Sequence, residues 1–149
     1  MSAAVSVGDN VLFFPKAYFN AGLTNAEVCV VCTRAYVFVL PKKDFTHYLV
    51  AMRTRKYDHF GDGKPVAEGV AHLLAEPGLT VSDLEERLIE LLGADQPDRV
   101  IEIAALKSFK TILFGPLSQA RIRHASGGAP RVISCKGKGA MKQFKAFYA

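Results

Sequence analysis

The sequence has no long hydrophobic run and few cysteines. No apolar stretch approaches the roughly 18 residues that mark a membrane span. The opening MSAAVSVGDN has neither the basic nor the apolar region of a secretory signal. The three cysteines are an odd number without framework spacing, which favours a reducing compartment over a disulfide scaffold. We therefore expect a cytoplasmic protein.

Motifs of common enzymes and cofactor sites are also missing. GDGKP has Pro65 where a phosphate loop of the Walker type needs Ser or Thr. No serine or cysteine lies in a nucleophile elbow. Asp58, His59 and Asp62 form a candidate acid/base group, but a solvated turn is the commoner explanation of such a loop. We predict no catalytic residue, no cofactor and no metal ion, and hence a protein that is not an enzyme.

A Cys-x-x-Cys spacing occurs in EVCVVCTRAYVFVL, residues 27–40. The β-branched and aromatic residues on both sides of Thr33–Ala35 predict two strands joined by a tight turn. In a strand, Cys29 and Cys32 project from opposite faces with α-carbons roughly 10 Å apart. This arrangement excludes joint metal ligation, which needs both thiolates in one tight turn. Both cysteines are therefore predicted to be core residues.

The length and composition indicate one globular domain. The chain has 149 residues, of which 50% are hydrophobic and 22% charged, and this is enough for a substantial core. We predict a single domain over residues 1–149.

The net charge of +5 is distributed in three blocks. Residues 1–56 carry seven basic and three acidic residues, residues 57–95 carry two and nine, and residues 96–149 carry ten and two. A basic surface attracts phosphate-bearing partners, although a charge block is more often a solvated face.

Two basic groups are candidates for anion binding. They are Arg53, Arg55 and Lys56 in the first block, and Lys136, Lys138 and Lys142 in the last. In the second group, the backbone amides of KGKG could bind an anion just before the closing helix. A turn with solvated lysines is the alternative.

The first half of the chain is mostly β-like. DNVLFFPKAYF reads as a strand in which Pro15 favours an edge position or a bulge. NAGLTN supplies turn residues before the next strand. DFTHYLVAMRTRKY, residues 44–57, is ambiguous between strand and helix.

A helical segment follows at residues 66–93. VAEGVAHLLAEPG predicts a short helix, and TVSDLEERLIELLG predicts the clearest helix in the chain. Its apolar stripe, at helical spacing, is Val81, Leu84, Leu88 and Leu91. Ser82 and Glu85 have the spacing of a capping box, and Gly93 is placed to end the helix.

The last third of the chain again has sequence patterns typical of β-strands. RVIEIAALKSFKTILF, QARIRHA and RVISCKG are separated by the turn-forming GPLS and SGGAP. KGAMKQFKAFYA then predicts an amphipathic closing helix, with Met141, Phe144 and Tyr148 on its apolar face.

Two stretches resemble the pleckstrin-homology-like superfold, in particular bacterial PH-like and GRAM-type domains. They are EVCVVCTRAYVFVL, with Thr33 and Arg34 at the turn, and the strand–strand–turn–strand–helix order of residues 99–148. The resemblance implies an α+β fold, a bent antiparallel β-barrel or sandwich with a C-terminal capping helix. Residues 66–93 would be a helical insertion. The headgroup-binding loop of the family would fall at residues 10–33, which offer only Lys16, so the resemblance carries over no ligand residue.

The resemblance and the missing reactive motifs favour a non-enzymatic binding or scaffolding module for a protein partner. An alternative is a binder of anionic lipid headgroups or nucleic acid, and a second copy of the chain is a further candidate partner. The acidic face of the long helix is predicted to bind a basic partner rather than to cover a basic patch. Its candidate residues are Glu85, Glu86 and Glu90.

Overall fold

The computed structural model describes residues 7–21, 24–42 and 65–149. Seven strands in these ranges form one antiparallel sheet, in the order β4-β3-β2-β1-β7-β6-β5. The strands are β1 (Leu12–Ala21), β2 (Thr24–Cys32), β3 (Tyr36–Pro41), β4 (Val100–Glu102), β5 (Leu106–Ile112), β6 (Gln119–His124) and β7 (Arg131–Cys135). The edge strands β4 and β5 are joined by one short 3-10 turn, Ile103–Ala105. This short connection draws the two edges together, so that the sheet nearly closes into a barrel.

Three helices occur in the described part of the chain. The first two, α1 (Val66–Leu74) and α2 (Val81–Leu92), lie between β3 and β4, and α3 (Ala140–Phe147) follows β7. The predicted α+β class, the helical insertion and the closing helix are therefore confirmed. The architecture is compatible with a PH-like fold.

Helix α3 fills the inside of the barrel. Met141, Phe144 and Phe147 are buried and pack in one core with residues of every strand. The Tyr148 hydroxyl lies 2.8 Å from the carbonyl oxygen of Thr33 and 2.9 Å from that of Tyr36. Burial raises the pKa of Tyr148 well above its usual range, so the phenol stays protonated and donates to these carbonyls. This contact fixes the end of α3 to the β2–β3 turn.

Helices α1 and α2 cover the outer face of β2 and β3. Leu84, Leu88 and Leu91 of α2 are buried against a second core that includes Phe38 and Leu40 of β3. Strand β3 and the second half of β2, residues 28–32, are thus buried on both faces. This explains why VCVVC in β2 and YVFVL in β3 are continuously apolar instead of alternating, since each face of this part of the sheet excludes water.

The Cys-x-x-Cys pair is divided between the two cores. Cys29 belongs to the outer core beneath α1 and α2, and Cys32 belongs to the inner core around α3. The prediction that the two side chains point to opposite faces is confirmed. Burial raises the pKa of each thiol to about 12, so both are protonated near neutral pH and neither is an activated nucleophile.

Pro15 was predicted to lie either in an edge strand or in a bulge, and the structure shows the bulge. The register of β1 against β2 shifts between Phe14 and Ala17, so Pro15 lies in a β-bulge as predicted. The alternative does not apply, because β1 is an interior strand that pairs with β2 on one side and, over residues 17–21, with β7 on the other. The bulge lets an interior strand contain a residue that has no amide proton to donate.

The predicted start of α2 was wrong by two residues. Thr80, not Ser82, is the N-cap: its hydroxyl accepts a hydrogen bond from the Asp83 amide at 3.1 Å, and the Asp83 carboxylate accepts one from the Thr80 amide at 3.4 Å. The capping-box spacing occurs twice in TVSDLEE. Glu85 is engaged elsewhere, since Thr33 Oγ1 donates to its carboxylate at 2.6 Å. Gly93 ends the helix as expected.

The two capping assignments make different predictions for alanine variants. Thr80→Ala should lower the free energy of unfolding by about 1 kcal/mol, because it leaves an amide of the first turn without its acceptor. Ser82→Ala should change it by less than about 0.5 kcal/mol, as expected for an exposed helical position. Urea denaturation of both variants measures the difference. A larger loss for Ser82→Ala would contradict the Thr80 cap.

Candidate functional site: a basic hairpin and its apolar tip

Charge is separated between two sides of the sheet. Residues 103–149, which form β5, β6, β7 and α3, contain nine basic residues and no acidic one. The helical insertion, residues 66–92, contains six acidic residues and one arginine. The basic residues of the last third therefore share one part of the fold, and the acidic residues lie on α1 and α2 over the outer face of β2 and β3.

The β5–β6 hairpin places basic side chains directly opposite each other. Lys110 pairs with Arg121 in the register of the two strands, and Ser108 pairs with Arg123. Lys110, Arg121 and Arg123 are all exposed. No described carboxylate makes a salt bridge with any of them. Like charges at directly opposed positions destabilise a hairpin, so folding alone does not explain this arrangement. We call these three residues the basic hairpin.

A cleft of about 460 Å³ lies at the turn end of the β5–β6 hairpin. One wall is the β5–β6 turn, and the other is the loop from β7 to α3, with Lys136 and Lys142 in its lining. Lys138 is exposed in the same loop. Lys136 and Lys138 thus share one loop, whose turn is made by Gly137 (φ +123°) and Gly139 (φ +73°), and Lys142 follows in the first turn of α3. Anion binding by these lysines stays a prediction.

The loop is anchored to β1. The Lys136 amide donates to the Lys16 carbonyl at 3.0 Å. The Lys136 ammonium lies 5.3 Å from the centre of the Tyr18 ring, within the range of a cation–π contact. These contacts hold Lys136 at the mouth of the cleft.

The β5–β6 turn carries three exposed apolar side chains. The exposed fractions are 39% for Leu113, 69% for Phe114 and 67% for Leu117. The turn is held by hydrogen bonds: the Ser118 hydroxyl accepts from the Phe114 amide and donates to the Gly115 carbonyl, both at 2.8 Å. We call residues 113–117 the apolar tip.

An ion-pair cluster lies at the other end of β6. Asp98 accepts hydrogen bonds from the His124 ring at 2.8 Å and from Arg131 Nε at 2.9 Å. Burial opposes ionisation of Asp98, but the two hydrogen bonds outweigh it and hold the pKa of this carboxyl below its usual range. The cluster ties the segment before β4 to β6 and β7, which is a structural role. Within residues 7–21, 24–42 and 65–149, no group of three or more His, Cys, Asp or Glu side chains could hold a metal ion.

The predicted acidic binding face is used in part for internal contacts. Glu85 is half-buried and accepts a hydrogen bond from Thr33. Glu86 and Glu90 lie at exposed positions of α2. Whether this face binds a partner stays a prediction.

Several predicted site residues lie outside the described residues. They are Arg53, Arg55 and Lys56 of the first basic group, and Asp58, His59 and Asp62 of the acid/base candidate.

Sequence reasoning missed the basic hairpin and the apolar tip. One signal was present: GPLS was assigned to a turn, yet LFGPL places three large apolar residues where turns are usually polar. The pairing of Lys110 with Arg121 was hidden, because it depends on the register of two strands joined by this turn.

Comparisons with protein-family models, with curated proteins and with solved structures found no match. No helix among the described residues is long and apolar enough to cross a membrane.

Proposed function

We propose that this protein is a non-enzymatic binding module for an anionic ligand. Its binding face would consist of the basic hairpin together with Lys136, Lys138 and Lys142. The observation that carries the proposal is the opposition of Lys110 and Arg121 on an exposed surface. A like-charge pair costs stability in the free protein, and an anion that contacts both side chains would remove this cost.

The surroundings of the pair support an anionic ligand. No acidic residue occurs after Glu102 to neutralise the surface. The field of an exposed charge extends about 8–10 Å at physiological ionic strength before salt screens it, so an anion within that distance of the hairpin and of the lysines at the start of α3 would be attracted by both groups. Convergent basic charge of this kind raises the association rate of anionic partners.

We also propose a PH-like fold for this module. The near-closed antiparallel sheet and the C-terminal helix that fills it support this assignment. The basic residues of the proposed binding face come from outside residues 10–33, where the resemblance to this family would place a headgroup, although Lys136 contacts Lys16 and Tyr18 of that segment. A protein partner, the first hypothesis from the sequence, has weaker support, since Glu85 on the acidic face is already bound to Thr33.

The variant Lys110→Glu tests the proposal, because it should change binding and stability in opposite directions. It creates an opposite-charge pair with Arg121, which should raise the free energy of unfolding by about 0.2–1 kcal/mol. The same change should weaken binding of a heparin oligosaccharide, used as a soluble polyanion, by about tenfold, since each basic residue near an anionic surface contributes about 1 kcal/mol. Calorimetry and urea denaturation measure the two effects.

Lys107→Glu is the matched control. Lys107 is exposed on the same strand, but it lies at a shift of register and has no residue directly opposite. Its reversal changes the net charge equally, so heparin affinity should fall by less than about threefold through long-range charge alone. Equal losses for the two variants would mean that heparin senses only the net charge, and the proposed face would be wrong.

A further inference from the structure

We propose that the anionic partner is a lipid bilayer and that the apolar tip enters it. This inference rests on the proposed function, because it uses the same basic residues to contact the headgroups. In this arrangement, Phe114 and Leu117 would lie in the boundary between headgroups and acyl chains, and Lys110, Arg121, Lys136 and Lys142 would lie just above them.

The first support is where apolar side chains are exposed. Among the residues that the structure describes, three large hydrophobic side chains are exposed, and all three belong to the five-residue apolar tip. Phe114 and Leu117 are each about two-thirds exposed. Scattered exposed apolar residues need no explanation, but a cluster at one site indicates a surface that another apolar phase covers.

The second support is that hydrogen bonds and backbone geometry fix the conformation of the apolar tip. Besides its two bonds with the Ser118 hydroxyl, the turn contains a bond from the Leu117 amide to the Phe114 carbonyl at 2.9 Å. Gly115 has a φ of +52°, which favours glycine, and the ring of Pro116 fixes the φ of the following position in the turn. The hydrogen bonds and the backbone angles of the folded turn therefore hold Phe114 and Leu117 in exposed positions.

The third support is the order of basic and apolar side chains along the hairpin. The apolar tip is flanked by Lys110 on β5 and Arg121 on β6, and across the cleft by Lys136 and Lys142. A bilayer presents anionic headgroups above apolar acyl chains. The basic side chains can therefore contact headgroups while the apolar tip contacts the acyl chains. A nucleic acid would pair with the basic residues but would leave Leu113 and Leu117 in water, since it stacks on aromatic rings.

Vesicle binding tests the inference. The protein should sediment with vesicles of phosphatidylcholine and phosphatidylserine and not with vesicles of phosphatidylcholine alone. The double variant Phe114→Ala/Leu117→Ala should reduce partitioning into the anionic vesicles at least tenfold. Its heparin affinity should change by less than twofold, because no charge is altered. Its urea midpoint should be unchanged, because both side chains are exposed.

A spectroscopic measurement shows whether the tip enters the bilayer. The sequence contains no tryptophan, so the variant Phe114→Trp has a single reporter. Its emission should shift to shorter wavelength with the anionic vesicles, and lipids brominated in the acyl chain should quench it. Heparin should cause no shift, since it offers no apolar phase.

The outcomes separate this inference from the proposed function. If Phe114→Ala/Leu117→Ala binds the anionic vesicles as well as the original protein, the tip does not insert and the inference is wrong. The inference is also wrong if a single-stranded oligonucleotide or a polyglutamate peptide binds while vesicles do not. In that case the proposed anion-binding face is still supported. If Lys110→Glu and Lys107→Glu lose heparin affinity equally, the proposed function itself fails.

Discussion

Replacing Phe144 with alanine should lower the free energy of unfolding by about 3–5 kcal/mol. The Phe144 side chain is fully buried at the centre of the barrel. Its ring centre lies 5.2 Å from that of Tyr148, 5.8 Å from that of Phe109 and 6.2 Å from that of Phe14. The substitution therefore removes contacts to three aromatic rings, two of them in β1 and β5, and leaves a cavity that α3 alone cannot close. Urea denaturation followed by circular dichroism measures the loss.

Gln143→Ala is the control for this prediction. Gln143 precedes Phe144 on α3 and is exposed, so its replacement should change the free energy of unfolding by less than about 0.5 kcal/mol. A loss below about 1 kcal/mol for Phe144→Ala would contradict the placement of α3 inside the barrel, since cavities of this size cost more.

Leu88→Ala should lower the free energy of unfolding by about 2–5 kcal/mol. Leu88 is fully buried in the outer core, between α2 and the sheet. Strands β2 and β3 belong to both cores, so a cavity under α2 should destabilise the whole protein and not the helices alone. This variant therefore also tests the single domain over residues 1–149, which stays a prediction.

Hydrogen exchange measured by mass spectrometry distinguishes the two cases. For one cooperative unit, Leu88→Ala should increase exchange in peptides of α3 and β7 as well as in α2. If exchange increases only in residues 66–92, the helical insertion unfolds by itself and the single domain is wrong. Glu86→Ala, at an exposed position on the same helix, should leave exchange unchanged.

The local patterns of the sequence predicted most elements of this fold. Periodic apolar positions in α2 and α3, such as Leu84, Leu88 and Phe144, predicted which faces are buried. Gly93 predicted the end of a helix. The side-chain period of two in a strand assigned Cys29 and Cys32 to opposite faces. These features depend on backbone geometry over a few residues, and this geometry is already present in the local sequence.

Features that depend on distant partners were decided by tertiary structure. Pro15 lies in an interior strand because β7, more than 110 residues later, pairs with β1. The capping-box spacing occurs in the sequence both at Thr80 and at Ser82. In the structure Glu85 accepts a hydrogen bond from Thr33, and Thr80 is the N-cap.

The candidate site is also a product of tertiary structure. Its charged residues come from β5, β6, the loop after β7 and the start of α3, and the opposition of Lys110 and Arg121 exists only in the folded register. The sequence by itself determined that the last third is basic and that LFGPL is apolar. Only the fold placed the apolar tip beside Lys136 and Lys142, because the pairing of β6 with β7 brings the β5–β6 turn next to the residues that follow β7.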